Sequence, residues 1–118
     1  MPKLNVPTEL LQSYIAFAKA DYASWSRRGE KKADSVREQM IAKFDVTYEV
    51  GSSYIKMIHT SGHGQSSVHS FIVNKAGKFP LGAVLKPAGW KAPATNFARA
   101  DVFKPETWEG HVRWTGAL

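Results

Sequence analysis

The spacing of apolar residues changes once along this chain, at about Asp45, and that change divides it into a helical part and a β-rich part. Before Asp45, Leu11, Tyr14 or Ile15, Ala18, Tyr22 and Trp25 recur at steps of three and four, which lines them up as one stripe of a helix. Pro7 suits a first helical turn, and Glu9 complements the positive end of the helix dipole. Arg27 and Arg28 followed by Gly29 look like a last turn with its left-handed cap. A second helix is expected from about Glu30 to Phe44, with Ala33, Val36, Met40 and Phe44 on its buried stripe. The apolar stripe stays in phase across Gly29, so residues 1–45 predict a helical hairpin or, alternatively, one long helix.

From Val46 the period is two. Val46, Tyr48 and Val50 alternate with polar residues, Gly51-Ser52 makes a turn, and Tyr54 to His59 returns as a strand. Ile55, Met57 and His59 then point one way, toward the helices, and Tyr54, Lys56 and Ile58 the other. Thr60 to Ser67 reads as a loop, Val68 to Val73 as the strongest strand, Asn74 to Lys78 as a turn and Ala83 to Lys86 as a short strand. Val112, Arg113 and Trp114 are expected to close the sheet. The fold class is therefore α+β: helical residues 1–45 packed on a small antiparallel sheet formed within residues 46–118. Ile55, Met57, Phe71 and Val73 are expected against Leu11, Ile15, Ala18, Val36 and Met40.

With 118 residues and no internal repeat, the chain is expected to be a single domain. The absence of cysteine excludes disulfides and thiolate metal sites. No apolar run reaches the ~18 residues of a membrane span, and the start of the sequence lacks the apolar stretch of a signal peptide. No membrane partner is expected, and the location is expected to be cytoplasmic.

Charge is distributed as unevenly as hydropathy. Between Glu49 and Asp101 there is no Asp or Glu, but that window holds Lys56, Lys75, Lys78, Lys86, Lys91 and Arg99, which account for the whole net charge of +6. The same window holds Tyr54, Phe71, Phe79, Trp90 and Phe97, and cations interleaved with aromatics suit an anionic, stackable partner. The densest part is residues 86–99, where Pro87, Gly89 and Pro93 oppose regular structure. There Lys86, Lys91 and Arg99 supply charge, Trp90 and Phe97 stacking planes, and Asn96 a hydrogen-bonding side chain for phosphate or a base edge. Lys56 joins them from the neighbouring strand. These seven residues are the expected nucleic-acid-binding set, for DNA or RNA. One competing reading has Trp90 and Phe97 covering the core with the cations pointing to water; another has the same loop meeting an acidic protein partner, as a modulator of a host factor.

Catalytic and metal chemistry find less support. No Gly-x-Ser-x-Gly elbow, P-loop or paired carboxylates occur in this half. His69 with Ser66, Ser67 or Asp101 offers an acid–base combination only if folding joins them. His59 and His63 have helical zinc spacing, but Ser61, Gly62 and Gly64 oppose a helix there. No cofactor, metal or catalytic residue is assigned, and the reading leans away from an enzyme.

Three stretches carry a resemblance: Val68 to Val73, Leu85 to Arg99 with its Trp-Lys-Ala-Pro-Ala-x-Asn-Phe-Ala-Arg run, and Val112 to Ala117. Over the C-terminal two thirds the chain resembles small bacteriophage-encoded proteins of uncharacterised function. That implies a phage source and a host-cell cytoplasm, but no activity. One departure is that Ala83 follows Gly82 where those proteins commonly carry an acidic residue, so the acid-free window is partly particular to this chain.

Overall fold

The computed structural model describes residues 3–27, 42–60 and 65–117, with the side chains of 25–27 left aside. One α-helix, α1 (Thr8–Arg27), precedes β1 (Asp45–Val50), β2 (Tyr54–Thr60), β3 (Ser66–Val73), β4 (Ala83–Leu85) and β5 (Ala100–Asp101). A 3-10 turn, Pro105–Thr107, then leads to β6 (Val112–Arg113) and β7 (Gly116–Ala117). Strands β1 to β5 form one antiparallel sheet in chain order, and β6 and β7 form a separate two-stranded ribbon.

This is the expected α+β class, with one helix among the described residues rather than a hairpin of two. The second helix, with Val36 and Met40, was expected on residues that lie largely outside the described ones. The helix begins just after Pro7, whose carbonyl accepts the N–H groups of Leu10 and Leu11. Its buried stripe is Leu11, Tyr14, Ala18 and Tyr22, with Ile15 and Phe17 partly buried beside it. Phe44 is buried at the foot of β1, its ring stacked on Tyr22 at 4.3 Å.

The helix covers one face of the sheet. Val46, Ile55, Met57, Ile72 and Val84 join its stripe in a core that also takes in Val102, Trp108 and Val112. Phe71 and Val73 do not point there, contrary to expectation. The register sets Phe71 opposite Lys56 and Val73 opposite Tyr54, so both belong to the outer face, where they cluster with Ala83 and Leu85. Two physical causes displace the phase. Phe71-Ile72-Val73 is apolar at every position, so alternation gives no direction. A β-bulge also intervenes: Met57 pairs with Ser70 but Ile58 with Val68, leaving His69 as the extra residue.

Val112 and Arg113 do not close the sheet. They pair with Ala117 and Gly116 in a ribbon, and β7 packs against β3. The approach needs a glycine: Gly116 has φ +139°, and a Cβ there would lie 2.4 Å from the His69 carbonyl oxygen. The fifth strand of the sheet is β5, two residues long and absent from the expectation. Among the described residues no helix is long and apolar enough to cross a membrane.

Asn74, expected as a turn residue, is fully buried. Its amide donates to the carbonyls of Lys3 and Gly51, each at 2.8 Å, and its Oδ1 accepts the Asn5 N–H at 2.8 Å. The N-terminal residues are thereby tied to the end of β3, directly beneath the turn that carries Lys75 and Lys78.

Candidate binding face on the outer side of the sheet

Alternation along β2 sends Tyr54 and Lys56 away from the helix, and cross-strand pairing sets Phe71 behind Lys56. Leu85 of β4 lies opposite Phe71 in the next pair, so the floor of this face is apolar and its edges carry charge. The tyrosine ring meets Phe71 edge-on at 6.1 Å, which fixes its plane.

Residues 86–94, expected to be irregular, form a short hairpin-like finger. The Lys86 carbonyl accepts the Ala94 N–H at 2.7 Å, the Ala92 carbonyl accepts the N–H groups of Ala88 and Gly89, and Pro87 bridges Pro93. Proline at both bridge positions restricts the stems, and Trp90 and Lys91 ride at the tip. The finger lies along the outer face: Lys56 Nζ sits 4.7 Å from the centroid of the Trp90 ring, within cation–π range. Trp90 is still 49% exposed and Phe97 54%, so neither is a lid on the core.

The rest of the expected set divides. Lys91 joins Lys56, Tyr54 and Phe71 around a hollow of about 330 Å³. Arg99 lies with its guanidinium 3.7 Å from the Phe97 ring centroid, and its backbone N–H reaches the Val84 carbonyl. Asn96 uses its Oδ1 locally, accepting from the Phe97 N–H at 3.0 Å and from Arg99 Nη2 at 3.3 Å. It positions Arg99 instead of presenting that oxygen to a ligand. Lys86 is exposed at the base of the finger.

Three residues outside the expected set belong to this face. Lys75, Lys78 and Tyr54 line a second hollow of about 410 Å³, which shares Ser53 and Tyr54 with the first. The charge window had included both lysines, but their place in a turn gave no reason to join them to the finger. Lys78 Nζ donates to the Thr95 carbonyl, and that bond ties the turn to the segment after the finger. The acid-free window is not acid-free in space. Glu49 pairs with Lys56 in the β1–β2 register and lines the smaller hollow, so one carboxylate sits at the rim of a lysine-rich face. Asp101, in contrast, spends its Oδ1 on the Phe103 N–H and sits under the turn that holds Trp108.

The acid–base combination considered for His69 is not assembled. His69 is fully buried on the helix side, where Nε2 lies 2.7 Å from the Arg113 carbonyl oxygen and Nδ1 2.8 Å from Ser70 Oγ. A carbonyl only accepts, so Nε2 carries the proton and Nδ1 accepts from the Ser70 hydroxyl. Tyr14 then donates to Ser70 Oγ at 2.8 Å, completing a one-directional chain. Burial pushes the His69 pKa down to about 4, lowers that of His59, and raises that of Tyr14 well above its ordinary range. Tyr14, Ser70 and His69 are all buried, and the hydrogen-bond chain ends on the Arg113 carbonyl. Among the described residues no group of side chains forms a metal site, and His63 lies outside them.

A family model matches residues 5–118, which takes in every element described above. The chain belongs to that family, one of unknown function (DUF7717). No protein of curated function and no solved structure matches the sequence. The matched span contains the finger, both hollows and the buried Tyr14–Ser70–His69 chain alike.

Proposed function

We propose that this chain is a small accessory protein that binds single-stranded nucleic acid across the outer face of its sheet, in keeping with its resemblance to phage-encoded proteins. The observation that carries the reading is the finger tip. Trp90 is held on one side by the Lys56 ammonium and remains about half exposed, with Lys91 next to it. A base needs an aromatic plane and its phosphate a nearby cation, and unpaired bases supply both demands together. A ring already polarised by a lysine and held on a proline-stiffened stem loses little freedom when a base settles on its open side. Lys56, Lys91 and Arg99 supply the charge, Trp90 and Phe97 the stacking, and Lys86 extends the basic edge.

Fluorescence anisotropy with labelled single-stranded DNA and RNA, repeated over a salt series, tests this. Binding whose log affinity falls linearly with log salt supports it. Absence of binding to both nucleic acids at low salt overturns it. An acidic protein partner that binds the same face and survives moderate salt would favour the modulator reading instead.

A further inference from the structure

The larger hollow lies beside the finger site rather than in it. It is lined by Ser53, Tyr54 and Val73 from the sheet, by Lys75 and Lys78 from the turn, and by Thr95 from the segment that follows the finger. Its volume, about 410 Å³, falls within the ~300–1,000 Å³ of small-ligand sites. Ser53 and Tyr54 also line the hollow that holds Lys56 and Lys91, so the two run into each other around the Tyr54 ring. That ring packs edge-on against Phe71 and is half-buried. Lys78 is held by the Thr95 carbonyl, and Lys75 is an exposed residue that lines the hollow.

We propose that this hollow is a second nucleotide subsite, continuous with the finger site, in which Lys75 neutralises a phosphate and Tyr54 flanks the nucleotide. It rests on the nucleic-acid reading above and extends it. One strand would run from Trp90 past Lys56 and Lys91, round Tyr54, to Lys75. Glu49 lines the smaller hollow with Lys56 and Lys91, so a phosphate there would meet one carboxylate beside two lysines, and the Lys75 hollow has no such carboxylate in its lining.

The test uses the full chain and a labelled single-stranded oligonucleotide of roughly ten nucleotides, within the span that one small sheet-based site covers. Lys75→Ala should lower the salt slope by about 0.7, the share of one phosphate on a single strand, and Lys75→Arg should keep it. Amide shifts on titration should appear at Ala76, Gly77 and Thr95 as well as at the finger. If Lys75→Ala matches the wild type in affinity and slope while Trp90→Ala loses affinity, the second subsite is wrong and the nucleic-acid reading stands. If the wild type binds no oligonucleotide, both fall. Shifts at Ala76 and Gly77 with a free mononucleotide, without oligonucleotide binding, would also overturn the continuous strand path. Lys75 is exposed, so the variant is expected to fold, and an unchanged amide spectrum away from the turn checks this.

Discussion

Lys56 and Trp90 meet face to face across the outer side of the sheet, ammonium to ring centroid at 4.7 Å, although they belong to a strand and a distant finger. The contact joins the finger tip to β2. It also makes the two residues separable by experiment, because one contributes mainly charge and the other mainly surface.

Trp90→Ala should cost roughly 1–3 kcal/mol of nucleic-acid binding while leaving the salt slope unchanged. With the side chain half exposed, stability should move by no more than about 0.5 kcal/mol in a urea titration. Unfolding of this variant would instead make Trp90 part of the core.

Lys56→Ala should lower the salt slope by about 0.7 and also loosen the finger, since it removes both a phosphate cation and the contact to Trp90. Anisotropy over a salt series gives the slope, and the assigned indole N–H resonance of Trp90, one of four tryptophans, reports the local change. A variant with normal slope and an unshifted Trp90 resonance would contradict both roles.

Tyr14→Phe and Ser70→Ala should differ in a fixed order. Losing the Tyr14 hydroxyl removes one donor and leaves Ser70 bonded to His69, a cost of about 1 kcal/mol. Losing Ser70 Oγ removes both 2.8 Å bonds and leaves the Tyr14 hydroxyl and His69 Nδ1 only their long direct hydrogen bond of 3.5 Å, so roughly 2 kcal/mol is expected. Chemical denaturation of the two variants decides the order.

Stability should also fall on acidification. Burial holds the His69 pKa at about 4 against an ordinary 6.5, so between those values the unfolded chain binds the proton and the folded one does not. The stabilisation is complete above about pH 6.5 and is lost progressively as pH falls toward 4, amounting to about 3 kcal/mol at most. His59 faces His69 at 6.1 Å and is shifted in the same direction, while Tyr14 stays neutral throughout. Urea midpoints measured across this range should shift downward with acid, and His69→Asn should flatten much of the dependence.

Gly116→Ala should be severely destabilising. It combines a φ of +139° with a Cβ placed 2.4 Å from the His69 carbonyl oxygen, and that neighbour is backbone, which has nowhere to go. Thermal melting of the variant is the measurement, with a change beyond a few degrees expected.

The helix and four strands were legible because their signals are local. Leu11, Tyr14, Ala18 and Tyr22 repeat at helical spacing and are the residues buried. Ile55 and Met57 likewise alternate in the direction that the core requires. The direction of β3 was not legible, since an all-apolar run with an upstream bulge has no phase of its own. Strand β5 escaped notice because two residues cannot show a period. At the site, composition picked out the finger and its exposed aromatics. The membership of Lys75 depends on a contact between separate segments, the turn and Thr95, which no linear pattern encodes. Asn96 works on its neighbours Phe97 and Arg99, and Glu49 faces Lys56 across one hairpin, but neither geometry is visible in composition.

Asn74 gives the final consequence. Three hydrogen bonds through its side chain fasten the base of the Lys75–Lys78 turn to Lys3, Asn5 and Gly51. A lysine on a loosely held loop would have to be caught along with its backbone, and the ordering would subtract from any affinity gained. Here the backbone beneath Lys75 is ordered before anything arrives, so only the side chain remains to be stilled. In the proposed subsite, how firmly Lys75 could hold a phosphate would therefore depend on Asn74, a buried residue that the phosphate would not touch.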